Sequence, residues 1–104
     1  MRERVTKLLT DLLVKTQAKT LDWKPTGVSD QFSLKLATGA IVLDFWPGLK
    51  YKVIILGKTG SQVDNIEIRT NDKEFQLVDD LYKLIVETNR AEILDDILKE
   101  IEKI

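Results

Sequence analysis

The first stretch of the chain carries apolar side chains at helical spacing. Five of them recur at i, i+3, i+4, i+7 and i+8, and so share one face of a 3.6-residue period: Val5, Leu8, Leu9, Leu12 and Leu13. This pattern predicts a helix from about Glu3 to Ala18. Residues 20–30 contain Pro25 and Gly27 and are predicted to form a connector. Trp23 in this connector is expected to close one end of the core.

From Gln31 to Arg69 the apolar period changes to two, which is typical of strands. Three hairpin loops are predicted, at Thr38-Gly39, at Pro47-Gly48-Leu49 and at Thr59-Gly60. Each loop sets one register, and the resulting cross-strand pairs are Leu36 with Ile41, Phe45 with Tyr51, and Val53 with Ile66. Every pair keeps apolar side chains on one face, so the sequence predicts a four-stranded antiparallel meander.

The opposite face of this predicted sheet is mixed. It carries opposite charges on neighbouring strands, and Trp46 lies beside a lysine. Toward the Thr-Gly turns it becomes apolar, with Val42, Ile54, Leu56 and Val63. Either a terminal helix covers this patch, or the patch and Trp46 form an interaction surface, since contiguous exposed apolar patches are unusual on monomers.

Two C-terminal helices are predicted, each preceded by Asn-x-x-Glu, at Asn71 and at Asn89. The first carries a wide apolar stripe and is expected to be buried from two sides. The second has Leu94, Ile97 and Ile101 at coiled-coil spacing. This last helix is expected to pack on its own domain, and a helix–helix dimer contact is the alternative.

Composition supports one α+β domain over residues 1–104, ordered α-ββββ-αα. The chain is 43% hydrophobic and 32% charged, and its net charge of −1 favours neither nucleic acid nor an anionic membrane. Apolar runs are far shorter than the ~20 residues of a membrane helix. A cytoplasmic location is therefore expected.

Candidate chemistry is limited because the chain contains no histidine and no cysteine. This composition excludes cysteine nucleophiles, disulfides, imidazole acid–base catalysis and the usual zinc ligands. The adjacent aspartates 79–80 and 95–96 point about 100° apart on a helix and are expected to be solvated. Residues 57–61 lack the spacing of a phosphate loop. We therefore expect no enzyme activity, no metal site and no cofactor.

A resemblance adds context to these predictions. Leu8-Leu9-x-x-Leu12, Thr16 and Leu21-Asp22-Trp23, followed by a strand meander and a helical C-terminus, resemble a group of short uncharacterised bacterial proteins. The resemblance implies an α+β fold and a bacterial context, and it carries no activity or site residues.

The function predicted from the sequence is a non-enzymatic protein-interaction module. Its partner would be another protein or a second copy of the chain in a homodimer. The candidate surfaces are the outer sheet patch with Trp46 and the last helix. The alternative is a small-ligand or nucleotide-binding protein with a pocket near Trp23, Trp46 and Tyr51.

Overall fold

A computed structural model describes residues 2–104 and confirms the α+β class. The sheet has five strands instead of four, and one long helix replaces the two predicted at the C-terminus. The elements in chain order are α1 (Arg2–Gln17), β1 (Trp23–Pro25), β2 (Gln31–Leu36), β3 (Gly39–Trp46), β4 (Lys50–Gly57), β5 (Gln62–Arg69) and α2 (Phe75–Glu102). The strands are antiparallel and lie in the order β1-β2-β3-β4-β5.

Strand β1 is the element that the sequence pattern missed. Trp23 pairs with Leu34 and Pro25 pairs with Phe32 in the predicted connector. Three residues are too few to show a period of two, and proline argues against a central strand. Proline is tolerated here because β1 forms an edge of the sheet, where one side of the strand has no ladder to complete.

Two of the three predicted registers are confirmed. Phe45 pairs with Tyr51 across β3 and β4, and Val53 pairs with Ile66 across β4 and β5. The predicted pairing of β2 with β3 is wrong by two residues, because Leu36 pairs with Gly39 and the turn is formed by residues 37–38. A shift of two keeps every side chain on its predicted face, so the inner face remains apolar.

Gly39 explains why the first turn was misplaced. A Cβ built at Gly39 would lie 2.1 Å from the carbonyl oxygen of Leu56. This glycine therefore belongs to the strand, where β3 and β4 approach too closely for any side chain. Glycine is common both in turns and at close contacts between strands, and the sequence alone does not distinguish these two cases.

The last hairpin loop has three residues, 58–60, instead of two. The amide of Gly57 donates to the carbonyl oxygen of Ser61 at 2.8 Å, and Gly60 has a positive φ of 87°. A register shift between Ile55 and Leu56 compensates for the extra residue, and Val63 lies at this bulge. The remainder of the strand pair keeps its predicted register.

Helix α2 runs through the predicted break at Asn89. No glycine or proline occurs between residues 75 and 102, and a single asparagine costs only a few tenths of a kcal/mol in a helix. The predicted Asn71 cap is also absent, since Glu74 is the N-cap and makes no side-chain capping bond. Asp72 instead accepts a hydrogen bond from the amide of Arg69 at 2.8 Å.

Both helices pack on the same face of the sheet. The core cluster combines helix residues such as Leu9 and Leu81 with sheet residues such as Leu43 and Val53. Trp23 is buried as predicted, and its indole N–H donates to the Thr16 hydroxyl at 3.1 Å. The expectation that a terminal helix covers the outer sheet patch is therefore wrong.

Candidate functional site

The last part of α2 extends beyond the core. Its final buried residue is Ile85, and every residue from Arg90 to Ile104 is exposed. Six apolar side chains in this segment form what we call the α2 stripe: Ile93, Leu94, Ile97, Leu98, Ile101 and Ile104. The first five are 45–59% exposed, and Ile104 is fully exposed. The prediction that this segment packs on its own domain is wrong.

The α2 stripe has the geometry of a helix-pairing surface. At about 100° per residue its six members span an arc of about 140°. The opposite face carries charged residues such as Glu92 and Lys99. The predicted contact residues Leu94, Ile97 and Ile101 all belong to the stripe. The structure thus leaves an amphipathic helix without a partner for its apolar face.

A groove joins the stripe to the body of the domain. It has a volume of about 300 Å³, and its lining combines the stripe residues Ile93 and Leu94 with Phe32, Val86 and Arg90. Because these side chains are mostly apolar, a partner lying along the stripe could continue into the body of the domain.

Within residues 2–104, no charged side chain from Glu87 to Lys103 has a salt-bridge partner. By helical position, three of these charges lie in or beside the apolar arc along the stripe: Arg90, Glu100 and Glu102. Arg90 falls in the middle of the apolar arc, at the end nearest the domain. The two glutamates flank the arc at its far end. Arg90 therefore lies at one end of this surface, with Glu87 beside it, and two anions lie at the other end.

The outer sheet patch is less exposed than the α2 stripe. Val42 pairs with Ile54, and both are half-buried, as is Leu56. Val63 is 70% exposed, but it shares a cleft of about 380 Å³ with Leu8 at the rim of the sheet. The four predicted apolar residues therefore do not form one uniformly exposed surface.

Trp46 on the outer face is engaged by its neighbours. Its indole N–H donates to Asp44 at 2.8 Å. The ammonium groups of Lys52 and Lys50 lie 4.7 and 5.2 Å from its ring centroid. Lys50 also pairs with Glu67. These contacts fit the sequence-based prediction of cation–π pairing on a hydrated surface and interrupt the apolar patch.

The open edge of the sheet at β5 is protected against strand addition. Every second amide of an edge strand points away from its neighbour. At Asn65 and Arg69 the amides donate to the carboxylates of Asp64 and Asp72, each at 2.8 Å. Charged side chains on an edge strand, here Asp64, Glu67 and Arg69, oppose edge-to-edge pairing, and the two carboxylate bonds occupy amide donors on this strand. Sheet extension is therefore disfavoured as a mode of association.

The three aromatic residues of the alternative ligand pocket are separated by the sheet. Trp23 and Tyr51 are buried on the inner face, whereas Trp46 lies on the outer face. Trp23 does line a cleft of about 300 Å³ between the end of α1 and the middle of α2, together with polar residues including Lys19 and Glu92.

A polar contact between β4 and α2 was not foreseen from the sequence. The Tyr51 hydroxyl donates to Asp79 at 2.6 Å, and the Lys83 ammonium contacts the other carboxylate oxygen at 2.8 Å. The prediction that Asp79 is a solvated aspartate is wrong. Its spacing from Lys83 is visible in the sequence, but its contact with Tyr51 depends on helix placement.

The pKa values of this cluster follow from its contacts. Burial would raise the pKa of Asp79, but hydrogen bonds from Lys83 and Tyr51 together outweigh burial and hold that pKa below its ordinary value. Burial, followed by the Asp79 contact, raises the pKa of Tyr51. Burial and a hydrogen bond to Asp30 raise the pKa of Tyr82 to about 12. These groups keep fixed protonation states near neutral pH and act as structural contacts.

Within residues 2–104, no group of three or more acidic side chains is placed to hold a metal ion. Over the same residues, no helix is long and apolar enough to cross a membrane. The sequence matches no family model, and no curated protein and no solved structure matches it.

Proposed function

We propose that this chain is a non-enzymatic protein-interaction module whose working surface is the α2 stripe. The observation that carries the proposal is the exposure of five leucine and isoleucine side chains along one face of a helix that continues beyond its own core, with Ile104 exposed just after the helix ends. Helices with this pattern bind other helices or hydrophobic grooves through their apolar face.

Energetics favour the α2 stripe over the outer sheet patch. Full burial of a leucine or isoleucine gains about 1.5–3 kcal/mol, so covering a half-exposed side chain gains about 1 kcal/mol. The six residues together would gain about 6 kcal/mol, before the partner's contribution and the cost of association. Val42 and Ile54 are already half-buried by their neighbours, so covering them gains less.

Site-specific photocrosslinking tests this function in the cells that produce the protein. A photoreactive amino acid replaces Leu98 in the stripe, and the control places it at the neighbouring Lys99 on the opposite face. We expect protein adducts from position 98 and few from position 99. Equal labelling at both positions, or no adduct from position 98, would contradict the proposal. The adduct mass distinguishes a second copy of the 11.9 kDa chain from another protein.

The cleft beside Trp23 supports a second candidate function, the binding of a small polar ligand. Its volume of about 300 Å³ is at the lower end of small-molecule sites. Trp46→Phe leaves Trp23 as the only tryptophan, so its fluorescence reports on this cleft alone. A saturable change with one member of a metabolite and nucleotide panel would support binding. Glu92→Ala at the cleft wall should weaken the response.

A further inference from the structure

We propose that the occupant of the α2 stripe is the same stripe of a second copy of this chain, lying antiparallel to it. This inference rests on the proposed interaction function and specifies its partner. It follows from two features of the surface, the shape of its two ends and the distribution of its charges.

The two ends of the stripe differ in shape. Near the domain the stripe opens into the groove of about 300 Å³ lined by Phe32 and Val86. At the far end Ile101 and Ile104 are exposed, and the helix extends away from the rest of the domain. In an antiparallel pair the projecting end of each chain lies in the groove of the other chain, so both grooves are filled by the same dimer interface. In a parallel pair the projecting ends meet each other and are held away from both grooves.

The charges favour the same orientation. An antiparallel pair that sets Arg90 opposite the partner's Ile101 also sets it between the partner's Glu100 and Glu102. All three side chains lack a salt bridge within the described chain, 2–104. In a parallel pair each of these charged side chains would lie next to the same residue of the other chain, inside or beside the apolar interface. Like charges at such close range oppose association.

The same alignment pairs the middle of the stripe with itself. It places Leu94 opposite the partner's Ile97, and Ile93 opposite the partner's Leu98. Ile104 then lies opposite the partner's Glu87, next to the groove. The two helix dipoles are opposed, which is the favourable arrangement. The same surface of both chains thus forms the interface about a two-fold axis, as in most homodimers.

The solution mass is the first test. At high micromolar concentration we expect twice the 11.9 kDa of one chain. Ile97→Lys should give a folded monomer, and Lys99→Ala on the opposite face should remain dimeric. A monomeric wild type would overturn the inference. Photocrosslinks from position 98 to a different protein would then still support the interaction function, so the two ideas can fail separately.

Cysteine crosslinking tests the orientation without background, because the chain contains no cysteine. Ile104→Cys and Glu87→Cys are made separately and treated with a short thiol-reactive crosslinker. In the antiparallel pair identical positions lie about 25 Å apart, so neither variant alone should crosslink and their mixture should. A parallel pair would crosslink each variant with itself, and that result would overturn the inference.

Charge reversal tests the pairing of Arg90. We expect Arg90→Glu to weaken dimerisation about tenfold or more, and Glu100→Arg with Glu102→Arg to do the same. The triple variant should recover most of the affinity, with circular dichroism confirming the fold of each protein. Equal affinities for the wild type and Arg90→Glu would contradict the pairing, because a parallel dimer would only exchange one like-charge contact for another.

Discussion

The two halves of helix α2 are similar in sequence character and opposite in environment. The half that begins at Phe75 buries Val78, Leu81, Tyr82 and Ile85, whereas the half that follows Arg90 buries none of its apolar residues. Geometry explains the difference. The 28 residues of α2 span about 42 Å, whereas the 16 residues of α1 beside it span about 24 Å. The long helix extends beyond the end of α1, and within residues 2–104 no other element covers its remaining apolar side chains.

The largest expected effect compares one leucine from each half. Leu81→Ala should leave a cavity in the core and lower the free energy of unfolding by about 2–5 kcal/mol. Leu98→Ala should lower it by less than about 1 kcal/mol in dilute solution, where the chain is monomeric. Urea unfolding at low protein concentration measures both values.

Protein concentration sharpens this comparison. At high concentration we expect the cost of Leu98→Ala to rise, because the proposed dimer would add to the stability of the wild type. The cost of Leu81→Ala should stay the same. Equal costs for the two variants in dilute solution would show that the second half of α2 is packed on its own domain.

A destabilising substitution far from α2 tests whether the stability of the core and dimerisation through the second half of α2 are independent. Gly39→Ala places a methyl group against the carbonyl oxygen of Leu56, because a Cβ at this position would lie 2.1 Å from that oxygen. We expect a loss of about 1–3 kcal/mol in stability. The dimerisation constant should be unchanged at temperatures where the variant is folded. Gly48→Ala, at an open turn with a positive φ, provides a comparison in which strain acts without a clash.

The contribution of Asp79 in the buried half of α2 should depend on pH. The pKa of Asp79 is lowered on folding, so its contribution is present above its ordinary value and is lost as the pH falls through the lowered pKa. Asp79→Asn should therefore cost about 1–2 kcal/mol at neutral pH and progressively less in acid. Asp95→Asn in the exposed half should change stability at neutral pH by less than about 0.5 kcal/mol, because its side chain lies outside the core. Unfolding measured between neutral and acidic pH compares the two variants.

The smallest effect concerns the helicity of the projecting half. A segment of about 15 residues without tertiary contacts is marginally stable as a helix in water. We expect far-ultraviolet circular dichroism to show a small loss of helix on dilution, as the dimer dissociates. Ile97→Lys should show the lower helicity at every concentration. A wild-type signal independent of concentration, in a protein shown to dissociate over that range, would mean that the helix persists alone.

Local patterns were sufficient for most of the sheet. The apolar period of two identified the inner face, and Pro47-Gly48-Leu49 correctly set Phe45 against Tyr51. Errors occurred where one residue type serves two purposes. The sequence predicts Gly39 to be a turn residue, but it lies in β3 at a close contact with β4. The sequence predicts Asn89 to be a helix cap, but it lies inside α2.

The candidate site was identified only in part from the sequence. Coiled-coil spacing is a local property, and it predicts Leu94, Ile97 and Ile101 as candidate helix-contact residues. Their exposure is not local, because it depends on where α1 and the sheet end. The groove beside Phe32 and the position of Arg90 on its wall also required the structure, since both depend on how α2 packs on the sheet.

The sequence by itself determined the α+β class, the inner face of the sheet and the amphipathic character of the last helix. These features depend on neighbouring residues and on the periods of helix and strand, and both are visible in the amino-acid sequence. Only the tertiary structure decided that both helices cover one face, that α2 is continuous, and that residues 90–104 lie outside the core. Burial is a property of the assembled fold, because it depends on the lengths and positions of elements that are distant in sequence.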